Sequence, residues 1–490
     1  MIPFATKTDL MAYQREAVAK ILPSRVGALF MDMGTGKSRT AIELAHLRSM
    51  KIDRVIWCCP VSLKETVKTE IRKHTDCEDI YVFGPKTSCK TVDMAARWVV
   101  VGIESISSSS RVVLALNSMI TENTMVIVDE STYIKGHDSA RTLRITRMAE
   151  RARYRLILTG TPLSQGVVDL FAQMKFLSPK ILGYRSWYSF AANHIEYSEK
   201  FPGMIVRSLN VPYLAEKIKP YAYQVTKAEC LDLPEKATEE RYLALTGEQM
   251  EAYIQAKHEI LEDVDMEDFD SISIFRLFTT LQSIVCGFWN RPRFRWQDLR
   301  KSRHGGVRQK QEYDLLTFPE NRTGLLMDTI RGIPKDEKVI VWGNFRYSVE
   351  QIAKRLNEEY GVESVALYYG RLKEQVRNAE ENKFRNHARF FVATQSVGGH
   401  GLTLNEARYV IFYANGFKYS ERLQAEDRCH RIGQTRDVTY IDLWSNTGID
   451  DRIAKALTKK GNALRDFRDE VEKIKKKGTK KRIKDLVMSL

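Results

Sequence analysis

The sequence predicts an α/β protein made of two parallel-sheet halves with a helical stretch between them. Three observations carry this reading. Short β-branched runs of strand length alternate with longer polar-apolar stretches over the first 180 residues. The same rhythm returns from Lys338 onward, and the middle, roughly Val167 to Pro319, is richer in helical patterns and local charge blocks. Strands joined through helical crossovers pair in parallel, and a sheet covered on both faces needs continuous apolar strands rather than alternating ones.

In the first half the strand-like runs are Ala28–Met31, Arg54–Cys59, Trp98–Val101, Met125–Val128 and Leu156–Leu158, with Arg39–Met50 as a crossover helix. In the second they are Lys338–Trp342, Ser364–Tyr368, Phe390–Ala393, Tyr409–Tyr413 and Val438–Leu443. The expected boundaries are therefore an N-terminal lobe over 1–230, with a helical extension from about 167, and an insertion and linker over 231–320. A C-terminal lobe over 321–470 and a lysine-rich tail over 471–490 follow. Within the middle, Glu259–Asp270 is an acidic cluster interrupted by Ile260, Leu261, Val264, Met266 and Phe269, and reads as a solvated helix face or loop. Phe288–Gln311 turns basic and aromatic, with Arg291, Arg293, Arg295, Trp296, Arg300, Lys301 and Arg303. Like charges from Lys473 to Lys484 should repel, leaving the tail frayed, or helical only against a partner.

Composition narrows the class. Apolar residues make up 43% and charged residues 28%, as in an ordinary globular chain. Lys plus Arg number 77 against 62 acids, a net charge of +15, which favours a polyanionic partner. No apolar run approaches the ~18 residues needed to cross a bilayer, and Met1–Leu10 lacks a secretory core, so no membrane role is expected. Seven cysteines without a CxxC pair argue against a disulfide framework or zinc module and fit a reducing compartment.

The decisive stretch is Met31-Asp-Met-Gly-Thr-Gly-Lys-Ser38, placed after a strand and before a helix. Glycines at 34 and 36 let backbone N–H groups turn inward around phosphate oxygens at the positive end of the helix. Lys37 would neutralise the β/γ-phosphates and Ser38 would hold Mg²⁺. The strict pattern has glycine where this chain has Met31. Val126-Ile-Val-Asp-Glu-Ser-Thr132 supplies the second half: a buried strand ending in two acids, so both carboxylates emerge at the sheet's carboxyl edge. Asp129 would bind Mg²⁺, and Glu130 would orient and deprotonate an attacking water. Further on, Gln424, Arg428 and Arg431 are spaced four and three apart, which on a helix places them on one face.

With these residues in place, the chain resembles the superfamily-two helicases and translocases in order along nearly its whole length. Leu10-Met-Ala-Tyr-Gln14 looks like the adenine-reading segment, Pro60 and Val61-Ser-Leu63 like the first strand-contacting loop, and Leu158-Thr-Gly-Thr-Pro162 like the loop coupling hydrolysis to lobe movement. Val339-Ile-Val-Trp342 resembles the opening strand of the distal lobe, and Val392 to Leu404 the distal coupling motif. The run Gln424 to Gln434, ending His430-Arg-Ile-Gly-Gln434, resembles the SWI/SNF-like branch, as do Leu231–Lys236, Tyr242–Gln249, Tyr253 and Leu281–Gly287. The chain departs from the family pattern at Tyr223, Gln224 and Val225, where paired arginines are usual, at Ser396 in place of an arginine, and at Ser131-Thr132 after the acids.

The resemblance implies two RecA-like lobes with a helical insertion, and a DNA-dependent ATPase using ATP and Mg²⁺. It implies a nucleotide set of Gln14, Gly34, Thr35, Gly36, Lys37, Ser38 and Arg39, and a catalytic set of Lys37, Asp129, Glu130, Gln424, Arg428 and Arg431. Sequence-independent DNA contacts, double-stranded or branched, are expected at Pro60, Ser62, Thr159, Thr394, Ser396 and Gly398. Block 288–311 either inserts at a duplex or fork or forms a surface hairpin whose Trp296 packs on the second lobe; the tail reads as a nonspecific electrostatic tether. Tracking along duplex DNA is the first expectation; strand separation or branch migration is the alternative, and a nucleotide-gated clamp the third. A monomer is expected, with a protein partner possible through the insertion or tail, in the cytoplasm of a bacterial or virus-infected cell, a nuclear setting being the alternative.

Overall fold

A computed structural model of the chain describes residues 4–160, 162, 166–198, 201–263, 269–293, 311–398, 402–476 and 480–490. Residues 264–268 of the acidic cluster, 294–310 of the basic block with Trp296, Thr161, 399–401 and 477–479 of the tail lie outside the described residues. The chain divides into two compact units, Met1–Asp232 and Leu233–Leu490.

The first unit is built on a seven-stranded parallel sheet of order β3-β4-β2-β5-β6-β1-β9. Its strands are β1 (Val26–Met31), β2 (Arg54–Cys59), β3 (Ile80–Val82), β4 (Trp98–Gly102), β5 (Thr124–Asp129), β6 (Tyr154–Thr159) and β9 (Ala222–Val225). An antiparallel pair, β7 (Ile195–Ser198) and β8 (Phe201–Ser208), stands apart from the sheet. Successive side chains point to opposite faces, so Ile56, Cys58, Val99, Val126 and Ile157 enter one core while Trp57, Cys59, Val100, Ile127 and Leu156 enter the other. Both faces are dry, which is why the strands read as unbroken apolar runs. Burial also pushes the Cys58 thiol up to about 12, so it behaves as a packing residue. The edge strands β3 and β9 are only three and four residues long, too short to register as apolar runs in the sequence.

The second unit has a six-stranded parallel sheet of order β10-β17-β16-β13-β15-β14. Its strands are β10 (Lys236–Leu243), β13 (Val339–Gly343), β14 (Val365–Tyr368), β15 (Phe390–Thr394), β16 (Tyr409–Phe412) and β17 (Val438–Ser445). An antiparallel hairpin of β11 (Phe288–Pro292) and β12 (Tyr313–Thr317) forms the base of the basic-aromatic block. There Arg293 is paired with Glu312 and Asp314, and Arg291 with Glu259, so acids neutralise the cations at the hairpin base.

Two expectations are corrected here. The segment 231–320 does not stand apart: β10 pairs with β17 from Lys236↔Val438 to Leu243↔Ser445. Its sequence, Lys-Ala-Thr-Glu-Glu-Arg-Tyr-Leu, is exposed except at Leu243, so backbone pairing rather than apolar patterning makes it a strand. The helices Gly247–Asp263 and Ser271–Val285 share a core with Phe467, Ile483 and Val487. The lysine-rich tail is likewise docked rather than frayed. In the helix Lys480–Met488, Ile483 and Val487 are buried while Lys481 and Lys484 face out. Tyr253 Oη donates to Leu490 O at 2.6 Å and Lys257 Nζ to Met488 O at 3.0 Å. The partner that the like-charged tail needs is the chain's own helix, and the missed signal is an apolar pair one turn apart among lysines.

Candidate active site

In the first unit β1, β6 and β5 are neighbours, so the loops leaving their carboxyl ends lie side by side. The loop after β1 carries the glycines. Gly34 and Gly36 have φ of 77° and 79°, the left-handed region that glycine enters without steric cost. Gly36 caps the helix Lys37–Leu47, and a Cβ there would strike Gln14 Nε2. The carbonyl of Thr35 accepts from Tyr13 Oη at 2.8 Å and Gln14 Nε2 at 3.1 Å, and Thr35 Oγ1 donates to Asp32 O at 2.7 Å. Gln14 is buried, and its Oε1 accepts from Met11 N, so it joins the segment before the first helix to the crown of the phosphate loop. Lys37 Nζ donates to Met31 O at 2.8 Å and Asp32 O at 3.1 Å, which holds the ammonium against the loop.

Arg39, expected among the nucleotide contacts, has its guanidinium engaged elsewhere: it bonds Thr8 Oγ1 at 2.8 Å, Thr8 O and Glu43 Oε2 at 2.8 Å, and is buried. These contacts fasten the helix Lys37–Leu47 to the N-terminal segment.

The acids follow β5. Asp129 is its last residue, and Trp57 Nε1 donates to its Oδ2 at 3.3 Å. Burial, then the neighbouring Glu130 charge, raises the Asp129 carboxyl to about 6, with the Lys37 ammonium pulling the other way. Lys37 and Asp129 therefore sense each other electrostatically. Glu130 has φ 50° and ψ 58°, a left-handed conformation costing a side-chain-bearing residue ~1–2 kcal/mol. Its N–H donates to Asp129 Oδ1 at 3.0 Å. Between these two loops, β6 ends at buried Thr159, and a Cβ on Gly160 would come within 3.2 Å of Met33 N. That glycine lets the third loop press on the first. Ser62 lies exposed on the short 3-10 turn Val61–Leu63 after β2, and Pro60, which starts that turn, is buried.

The donor set suits a Mg²⁺-bound triphosphate. Inward-turned backbone at a helix start and one ammonium match phosphate oxygens, and the Ser38 hydroxyl with the Asp129 carboxylate are hard oxygen donors. Sequence reasoning missed Gln173. Its Oε1 accepts from Ser131 Oγ at 2.6 Å, and its Nε2 donates to Pro162 O and Asp169 O at 3.1 and 2.8 Å. An amide set between Ala172 and Met174 in the helix Val168–Leu177 is the signal that could have found it.

In the second unit the expected single helix face is absent. Gln424 lies on the helix Tyr419–Glu426, but Arg428 and Arg431 come after its end. They converge by another route: Arg428 Nη1 and Arg431 Nη1 donate to the same carbonyl, Leu402 O, at 3.1 and 3.2 Å, and Arg431 also reaches Thr403 Oγ1 at 2.9 Å. The run His430–Gln434 builds the turn that permits this. Gly433 has φ 98°, a Cβ there would strike Asn405 Nδ2, and Gln434 Nε2 donates to Asn405 O and Ala407 O at 3.1 Å. Another arginine, Arg422, is buried and fully structural: it bonds Asp442, Asn415 and Glu426 with its guanidinium 3.5 Å from the Phe412 ring centroid. Thr394 ends β15 and is buried, and Ser396 is exposed on the short helix Gln395–Gly398.

Comparison with known proteins agrees along the chain. The SNF2-related domain matches residues 13–287, more than half of the sequence, and the helicase conserved C-terminal domain matches residues 323–433. An uncharacterized ATP-dependent helicase of Mycoplasma pneumoniae is 24% identical over 92% of this chain and 42% of its own length. The DNA annealing helicase and endonuclease ZRANB3 of Mus musculus is 25% identical over 94% of this chain and 41% of its own. The chain thus spans less than half the length of these relatives. Among solved structures, the Sulfolobus solfataricus SWI2/SNF2 ATPase core in complex with dsDNA is 22% identical, aligning over 98% of this chain and 95% of that one with a TM-score of 0.43.

Proposed function

This chain belongs to the SNF2-related family of ATP-dependent helicases and translocases, and from that membership we propose that it hydrolyses ATP when bound to DNA and tracks along the duplex without separating its strands. The observation that carries the proposal is the meeting of glycine-lined loop, Lys37, Asp129 and Glu130 at one carboxyl edge of the first sheet.

Lys37 would neutralise the transferred phosphoryl group, and the loop amides would hold its neighbours. Asp129 and Ser38 would hold Mg²⁺, which when bound shields phosphate charge. Glu130 would take the proton from the attacking water at its carboxylate. Arg428 and Arg431 would supply cationic stabilisation from the second unit, making turnover depend on both halves of the chain. DNA as the polymer is supported by the net charge of +15 and by the relative named a DNA annealing helicase. Pro60, Ser62, Thr159, Thr394, Ser396 and Gly398 remain the proposed backbone-reading contacts, of which Ser62 and Ser396 are exposed hydroxyl-bearing residues.

The test measures ATPase activity with single-stranded, duplex, forked and four-way DNA and with RNA, beside triplex displacement and release of a labelled strand. Duplex-stimulated turnover with triplex displacement and no strand release is the expected result. Strand release would move the assignment to an unwinding or branch-migrating enzyme, and DNA binding with neither activity to a clamp.

A further inference from the structure

The acid-bearing loop of the first unit is gripped from one side by the helix Val168–Leu177. Asp169 and Gln173 stand four residues apart on it and so project from the same face. Asp169 Oδ1 lies 3.7 Å from Lys135 Nζ, and Gln173 Oε1 accepts from Ser131 Oγ at 2.6 Å. The two contacts sit at opposite ends of the 3-10 turn Ser131–Ile134.

Ser131 and Gln173 are both 0% exposed. A primary amide in such a place costs free energy unless its groups are paired, and an apolar side chain would serve the packing as well. Here both amide hydrogens are used, on Pro162 O and Asp169 O, and the oxygen takes the Ser131 hydroxyl. Packing alone does not call for this amide.

Glu130 supplies the reason. A left-handed backbone on glutamate persists only where its flanks fix it. Before it, its own N–H is held by Asp129 Oδ1; after it, its carbonyl accepts from Tyr133 N at 2.9 Å and the next residue is pinned through its hydroxyl by Gln173. We propose that Gln173 is a positioning residue for hydrolysis: through Ser131 it fixes the backbone that aims Glu130, and through the Pro162 carbonyl it ties that aim to the loop leaving β6. This rests on the reading of Glu130 as the group that activates water.

Gln173→Leu removes the amide while keeping bulk, and Ser131→Ala removes one oxygen atom. Each is expected to lower kcat for DNA-stimulated hydrolysis about 10-fold, the worth of one well-placed hydrogen bond, with KM for ATP changed less than about twofold. The double variant should lose no more than either single one, because both break the same link, and Ser131→Thr, which restores a hydroxyl, should recover most of the rate. Additive losses, a loss confined to KM, or normal kcat in both single variants would overturn the proposal. Should Gln173→Leu fail to fold, Ser131→Ala against Ser131→Thr decides alone. Glu130→Gln keeps the two readings separate: turnover surviving there removes the base itself, whereas turnover lost there but normal in Ser131→Ala removes only the role given to Gln173.

Discussion

Arg428 and Arg431 present their Nη1 atoms to one acceptor, the carbonyl oxygen of Leu402, at 3.1 and 3.2 Å. Two cations brought to a shared carbonyl repel each other, and an anion placed beside them relieves that repulsion. Replacing either by alanine should cut DNA-stimulated turnover by ~10³-fold or more, the range of arginine fingers. Stability should separate them. Arg428 is buried and Arg431 half-exposed, so thermal melting should show a clear loss for Arg428→Ala and little for Arg431→Ala.

Lys37 and Glu130 should fail in different ways. Lys37→Ala removes the cation held by Met31 O and Asp32 O and should weaken ATP binding in a fluorescent-nucleotide titration. Glu130→Gln should bind ATP with near-normal affinity yet turn over ~10²–10⁴-fold more slowly, the usual contribution of a general base. Equal losses of binding in both variants would refute the division of labour.

Asp129 trades stability for function. Its folded carboxyl lies near 6, above the unfolded value of 3.8. The folded state therefore binds the extra proton between those values, and stability conferred by that proton is lost as pH rises through about 6. Asp129→Asn, neutral throughout, should be more stable than the parent at pH 8, read as a higher melting temperature, and the gap should shrink as pH falls through 6 toward 4. The same variant should have no measurable turnover. A gap that is constant with pH would place the shift elsewhere.

DNA binding should be salt-dependent and indifferent to sequence. A plot of log affinity against log salt is expected to be linear with a negative slope, each neutralised phosphate of duplex DNA contributing ~0.9. A flat plot would remove the backbone track.

The tail should behave as core. Val487→Asp buries a carboxylate among Tyr253, Phe467 and Ile483 and should cost ~3 kcal/mol or more, read as a lowered melting temperature of the second unit. Lys481→Ala and Lys484→Ala, both on the outer face, should change stability by less than ~0.5 kcal/mol.

Much of this molecule is written locally. The ten apolar runs in the sequence all became sheet strands, because a strand buried on both faces announces itself over five or six neighbouring residues. The phosphate loop is legible for the same reason: two glycines, a lysine and a helix start within a few positions. Residues whose meaning depends on a distant partner stayed silent. Arg39 sits where a nucleotide contact was expected, but Thr8 and Glu43 engage it; Arg422 looks like any helix cation until Asp442 and Phe412 close around it.

Local order along the chain thus determined the class of fold, the place of the phosphate loop and the identity of the two acids, since each depends on backbone geometry and residue chemistry within one or two turns. The tertiary structure alone decided that Lys236–Leu243 is a strand, that the lysine-rich end is a packed helix, and that Arg428 and Arg431 meet at Leu402 beyond the end of their helix. Those outcomes turn on pairings between residues remote in sequence, where a hydrogen-bonded edge or a buried face outweighs what the local side chains would prefer in water.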